Sequence, residues 1–327
     1  MIRKSPGEFI HVLTIVFAVL CLTGSISFAR QLDDIRAAIA HKRAKWTADE
    51  TSISQLPDHE KKQRLGLVKE TSAINEPLLS VQAPMSALGT GFDWRQNGHV
   101  APVRDQGNCG SCWAFAATGA FESYNLIRGY GVSRTNDDRA EEILLSCSTA
   151  GSCNGGYINR AADYIRNTGL PPESYLPYTA SSADNLCSRA LAGWSANTKK
   201  TTSWSYVNTT IISVQDIKNA LVTYGPLITT MDVYYDFFSY HAGVYEYVSG
   251  VYQGGHAILI VGYHDDPSIA GGGYFIVKNS WGTGWGESGY FNIAYSQTGS
   301  PVYFGEWTIA YHPTIVLPAS PTGLRVN

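Results

Sequence analysis

Residues Gln106 to Tyr124 read Q-G-N-C-G-S-C-W-A-F-A-A-T-G-A-F-E-S-Y. The polar, glycine-rich part, Gln106 to Ser111, is a turn, and the stretch from Cys112 onward has helical character. Phe115, Ala116, Gly119, Ala120 and Tyr124 recur at helical spacing and mark a buried face. Cys112 then sits at the helix start, where unpaired N–H groups and the positive end of the helix dipole favour a thiolate over a thiol. Four readings of this cysteine stand open: nucleophile, redox partner of Cys109, metal ligand, or core residue.

A thiol nucleophile needs a base, a group that orients the base, and donors for an oxyanion. Most of the histidines in the chain, His264 and His312 among them, read as core positions. His256 differs. Gly254 and Gly255 precede it and the strand-like A-I-L-I-V-G-Y comes after it, so it stands at the mouth of a rigid strand, placed to project into a cleft. Downstream, Asn279 at a strand end is able to orient an imidazole, and Trp281 to cover that hydrogen bond and keep water from it.

The rest of the chain supplies context. It has 327 residues and a net charge of -3, so nothing points to nucleic acid. Arg3 and Lys4, an apolar run from Phe9 to Leu22, then Ser27 and Ala29 have the order of a secretory signal, with cleavage after Ala29. No stable membrane span remains after that cut, and a secreted or otherwise extracytoplasmic location is expected. Cys21 leaves with the signal. Cys109, Cys112, Cys147, Cys153 and Cys187 remain, an odd number, so an oxidising compartment leaves one thiol over.

Residues 30–88 lack cysteine, are rich in charge and hold too few apolar residues for a core of their own. Leu32, Ile35, Ile39 and Trp46 form the stripe of a first helix, and Asp58 to Glu70 a second. This segment docks on the remainder or is removed. Pro77, Pro84 and Gly89 mark a boundary, so residues 89–315 form the main domain and 316–327 an extended tail. In that domain helices are predicted at Arg139–Leu145, Asn159–Thr168 and Val214–Tyr224. Strands are predicted at Leu227–Asp232, His256–Tyr263, Tyr274–Lys278, Tyr290–Ala294 and Trp307–Tyr311. A helical half followed by a strand half is an α+β pattern with a cleft between halves.

The motifs Q-G-N-C-G-S-C-W-A-F, C-N-G-G-Y at Cys153 to Tyr157, G-G-H-A at Gly254 to Ala257 and K-N-S-W-G-T-G-W-G at Lys278 to Gly286 resemble those of the papain family of cysteine proteases, in the same order. The resemblance covers about Phe92 to Pro313. It implies a two-lobed fold, a helical left lobe and a β-barrel-like right lobe with the active-site cleft between them. It implies Cys112 as nucleophile, His256 as general base and then acid, Asn279 as its orienter, and Gln106 as oxyanion donor with the Cys112 N–H. It implies Cys109–Cys153 and Cys147–Cys187 disulfides, with Cys112 free. Gly155 and Gly156 match the strip that binds substrate backbone. The resemblance implies that Tyr157, Thr230, Ala257, Trp281 and Ile309 lie along the substrate cleft, with Thr230, Ala257 and Ile309 lining an apolar subsite for the residue two before the scissile bond and Tyr157 at its flank. No metal or cofactor is implied. The expected partners are extended polypeptide substrates and the chain's own propeptide, residues 30–88, bound as inhibitor in the non-productive direction and cut near Gln82 to Gly91; a monomer is expected.

The resemblance has departures. The spaced Glu, Arg, Phe and Asn signature of longer prosegments is absent, as is a third disulfide. No long insertion follows Gly156, which argues for endopeptidase action. Gly255 stands where papain has an acidic residue. The rival readings are a papain-shaped binding protein without catalysis, a thiol–disulfide oxidoreductase using Cys109 and Cys112, a structural zinc site at Cys147, Cys153 and Cys187, and an acyltransferase that excludes water.

Overall fold

The computed structural model describes residues 30–69, 78–79, 88–131, 137–182 and 186–313. The expected signal (1–29), the tail (316–327) and most of the expected processing window lie outside the described residues.

The left lobe is built on helix α3, which in chain order follows α1 (30–42) and α2 (Asp58–Gln63) of the N-terminal segment. Helix α3 (Cys112–Ile127) is buried on every side from Cys112 to Leu126. Its run of Ala and Gly is what lets neighbours approach from all directions. Helix α4 (Glu141–Cys147) packs beside it, as does α5 (Ile158–Asn167) through Ile158, Ala161, Ala162 and Ile165. That spacing is the one-sided stripe expected of a helix with a wet outer face. The disulfides Cys109–Cys153 (S–S 2.07 Å) and Cys147–Cys187 (2.05 Å) tie the loops of this lobe, and Cys112 is the free cysteine of the described residues.

The right lobe is a sheet of nine strands. Its members are β1 (Trp46–Ala48), β2 (Gly91–Asp93), β5 (Ser203–Tyr206), β6 (Leu227–Tyr234), β7 (Tyr240–Tyr245), β8 (Tyr252–Asp265), β9 (Gly273–Lys278), β10 (Tyr290–Ala294) and β11 (Glu306–His312). The order is β1-β7-β10-β9-β8-β6-β11-β5, with β2 added on β8. The order begins at β1 and ends at β5, so the lobe expected to be barrel-like is an unclosed sheet among the described residues. A small ladder, β3 (Gly151–Ser152) and β4 (Gly155–Gly156), lies in the left lobe. Helix α6 (Val214–Tyr224) begins at a Ser213 cap whose hydroxyl accepts from Asp216 N–H and stops at Gly225.

Sequence and structure differ in two informative places. Strand β8 starts at Tyr252, so His256 lies inside a 14-residue strand and not at its mouth. Gly254 and Gly255 belong to the strand as well, paired with Val233 and Asp232 of β6. In the N-terminal segment, α1 ends at a left-handed Arg43 (φ 55°), and Trp46 belongs to β1, not to the helix. Leu32, Ile35, Trp46 and Ile53 are buried in the same cluster as Phe237, Trp281 and Trp285, so the segment shares the right lobe's core. Helix α2 stops at Gln63, short of the expected Glu70, because Leu67 and Val68 spend their N–H groups on Gly255 and Gly156 instead of on the helix.

Candidate active site

Cys112 is the first residue of α3 and is fully buried. The sequence favours a thiolate there. The structure shows the opposite: burial pushes the thiol up to about 11, although backbone amides of Ala257, Gly66, Trp113 and Cys112 itself pull it down. Desolvation is the largest influence because Cys112 is fully buried, with the Gly66 amide of the N-terminal segment among the groups against its sulfur. Cys109 is bonded to Cys153, so it does not form a redox pair with Cys112, and Cys147, Cys153 and Cys187 are all consumed in disulfides.

His256 reaches from β8 to Asn279, just past β9, with Nε2 2.8 Å from Asn279 Oδ1. The backbone N–H of Ser280 donates to that same oxygen at 2.8 Å, which fixes it as an acceptor. His256 Nε2 therefore carries the proton, and Nδ1 keeps its lone pair. Nδ1 is buried without a hydrogen-bond partner among the described residues, the state a base needs before it takes a proton. The Trp281 ring lies 4.8 Å from the imidazole at 31° and shuts water from the bond to Asn279. Burial pushes His256 down to about 4, and the Asn279 bond only partly restores it.

Gln106 is fully buried and held at every polar atom. Its Oε1 accepts from Ser280 Oγ (2.6 Å), its N–H donates to Ser280 O (2.9 Å), and its carbonyl accepts from Tyr178 O–H (2.7 Å). Its amide Nε2 donates to Cys109 O (2.7 Å) and to Arg64 O (3.0 Å). A carbonyl of the N-terminal segment thus takes the donor that the sequence reserves for an oxyanion. The sequence does not single out Ser280 or Tyr178. Ser280 lies beside Asn279 in the same motif and is within reach of that reading. Tyr178, 72 positions from Gln106, carries no local signal.

The segment crosses the cleft as a strand. Leu67 N–H donates to Gly255 O (3.1 Å), Val68 N–H to Gly156 O (2.9 Å) and Gly156 N–H to Gly66 O (2.8 Å), with Leu67 paired in parallel to Gly156. Glycines on both sides permit this approach: a Cβ on Gly66 would stand only 1.9 Å from Gly110 O, and one on Gly155 3.0 Å from Gly66 O. Gly155 sits beside Val68, its Cβ position 3.2 Å from Val68 Cγ2. Thr230 faces Ala257 across β6 and β8, and Ala257 and Ile309 share one buried cluster with Cys112, against which Leu67 packs. Tyr157 is half-buried under the Arg160 guanidinium, 3.9 Å away. No helix among the described residues is long and apolar enough to cross a membrane.

A profile described as papain family cysteine protease matches residues 88–310. The chain is 32% identical over 283 residues to a cathepsin L-like proteinase of Fasciola hepatica, covering 78% of this chain and 82% of that one. It is 38% identical over 234 residues to digestive cysteine proteinase 1 of Homarus americanus, covering 69% and 67%. Among solved structures, digestive procathepsin L 3 of the Tenebrio molitor larval midgut superposes with a TM-score of 0.71 at 23% identity, covering 96% of this chain and 94% of that one. The chain belongs to the papain family of cysteine proteases and is a cysteine endopeptidase.

Proposed function

We propose that the chain is the zymogen of a secreted endopeptidase, held latent by its own residues 30–88. The observation that carries this is the strand at residues 64–68, which engages Gln106, Gly156 and Gly255 through backbone hydrogen bonds and places the Gly66 amide on the Cys112 sulfur. Gly66 lies at the thiol and Leu67 opposite Gly156, so the segment runs from the nucleophile outward along the glycine strip. A substrate in the productive direction runs the other way, which leaves no scissile carbonyl in line with Cys112.

In the matured enzyme, Cys112 passes its proton to His256 and the thiolate attacks a peptide carbonyl. Gln106 Nε2 and the Cys112 N–H hold the resulting oxyanion. The imidazolium then gives its proton to the leaving amine, and the thioester remains on Cys112. Water, deprotonated by His256, releases the acid and restores the thiol. Asn279 keeps the imidazole in the tautomer with its proton on Nε2. Removing the segment rehydrates Cys112 and His256, so the desolvation that keeps both neutral is relieved. Thr230, Ala257 and Ile309 form an apolar subsite suited to Leu, Val or an aromatic residue, with Tyr157 at its flank.

The test compares Cys112→Ala with wild type on a fluorogenic peptide panel, with a thiol-specific epoxide as label. Wild type should mature on acidification to a form beginning near Gln82 to Gly91 and carry label on Cys112. Cleavage that survives the substitution, or equal activity of intact and trimmed chains, overturns the reading.

A further inference from the structure

Beyond Val68 the strand in the cleft places one more side chain. Lys69 Nζ lies 3.1 Å from Asp232 Oδ1, 3.2 Å from Asp232 Oδ2 and 3.1 Å from Glu306 Oε2, and 5.7 Å from the centre of the Tyr303 ring. The two carboxylates are mostly shielded, with side-chain exposures of 13% and 14%. Burial pushes the Lys69 ammonium toward its neutral form, but the hydrogen bonds to Asp232 and Glu306 outweigh it and hold it above its usual range. Asp232 lies on β6 opposite Gly255, whose carbonyl receives Leu67 N–H, and Glu306 opens β11 opposite Thr230. The acidic pair is therefore part of the cleft wall, one step along from the apolar subsite.

We propose that Asp232, Glu306 and Tyr303 form a cation-accepting substrate subsite, which Lys69 fills in the latent chain. The inference rests on the reading of the cleft as a peptide-binding groove. When the segment leaves, two carboxylates that both lie within 3.2 Å of one ammonium lose the cation they share. Like charges held that close repel, so the site is poised to take another ammonium or guanidinium. Tyr303 offers its ring face to the same charge. Alternate residues of an extended strand share a face, so Lys69 projects to the side that Leu67 does. Leu67 stands opposite Gly156, where the substrate residue two before the scissile bond is held. The acidic subsite then receives the residue fourth before the scissile bond, beside an apolar preference at the second. Lys and Arg fit it, and Asp and Glu are repelled.

The experiment uses enzyme matured from the full chain and peptides X-Ala-Leu-Gly linked to a fluorophore, with X as Lys, norleucine or Glu. The readout is the ratio of kcat/KM values within each enzyme. Lys should exceed norleucine about fivefold at low salt, with Glu lowest, and the ratio should fall toward one as ionic strength rises. In the double variant Asp232→Asn/Glu306→Gln the ratio should be near one. A Lys-to-norleucine ratio near one in wild type overturns the subsite, as does a salt-independent ratio or one that persists in the double variant. The wild-type salt series decides the matter even where the double variant fails to fold. Cleavage without a basic preference refutes the subsite alone, whereas no cleavage of any peptide refutes the peptidase reading and the subsite with it.

Discussion

Gly66→Ala should open the cleft of the intact chain. The added methyl would lie 1.9 Å from Gly110 O, 2.4 Å from its carbonyl carbon and 2.6 Å from its Cα, all backbone. The loop bearing Gly110 cannot yield easily, because Gly110 N–H donates to Cys153 O at 2.8 Å and the Cys109–Cys153 disulfide sits beside it. Ordinary contact needs about 3.5 Å, so the strand must retreat by roughly 1.5 Å. That retreat breaks the bonds from Leu67 to Gly255, Val68 to Gly156, Gly156 to Gly66 and Gln106 to Arg64. At about 0.5–1.5 kcal/mol each, their loss weakens docking by roughly 2–6 kcal/mol, a factor between about 30 and 10⁴ in the closed-to-open ratio. The assay is the rate at which a thiol-specific epoxide labels Cys112 in the untrimmed chain, read as intact mass at neutral pH. Labelling should accelerate by at least the lower factor while the far-ultraviolet circular dichroism stays unchanged. A correctly folded Gly66→Ala chain labelled as slowly as wild type would refute the claim that main-chain contact at Gly66 enforces latency.

Other expected outcomes come from the same geometry. Alkylation of Cys112 in the intact chain should keep rising with pH beyond pH 9, toward the thiol's raised value of about 11, whereas the trimmed chain should react well below that; an early plateau in the intact chain would contradict the burial argument. Ser280→Ala removes the 2.6 Å bond to Gln106 Oε1 and should lower kcat of the matured enzyme about tenfold with little change in KM, because a loosened oxyanion donor is felt mainly in the transition state; the opposite split would sink its positioning role. Trp281→Ala should admit water to the His256–Asn279 bond and lower kcat, with no effect if the ring is mere core filling. Burial raises Glu122 to about 7, against the partial relief given by Lys278 and the Arg139 N–H. The folded chain then binds that proton more tightly than the unfolded one, so the stabilisation is complete below about 4.5 and lost as pH rises through about 7. Denaturant unfolding of wild type should therefore weaken relative to Glu122→Gln across that window, and a constant difference would exclude the linkage.

The legible parts of the molecule are those whose cause is local. Helix α6 is bounded by its Ser213 cap and Gly225, and β10 by its own alternation, so both are read from sequence at their observed limits. Cys112, His256 and Asn279 each sit in a short motif, and it is the motifs in order, not any one residue, that single them out in the sequence. Less is readable where partners are distant. Strand β1 exists because β7 is there to pair with it, whereas sequence spacing alone puts Trp46 on a helix. The glycines before His256 are in the strand because β6 pairs with them, which their own sequence does not reveal. Gly66, Leu67 and Lys69 carry no motif at all. Their importance comes from lying against Gly110, Gly156 and Asp232, and the burial that raises the Cys112 thiol is likewise a matter of distant packing and not of helix position.

The seam between β1 and β7 has a consequence of its own. Residues 46–48 cover one edge of β7, while Leu32, Ile35 and Ile53 fill space among the right lobe's aromatic rings. The excision proposed for maturation would leave the edge of β7 bare and part of that core vacant. Unfolding and refolding of the trimmed protein should trace different paths: a chain denatured after trimming has lost the instructions for return, so its lifetime is governed by the height of one barrier and not by an equilibrium.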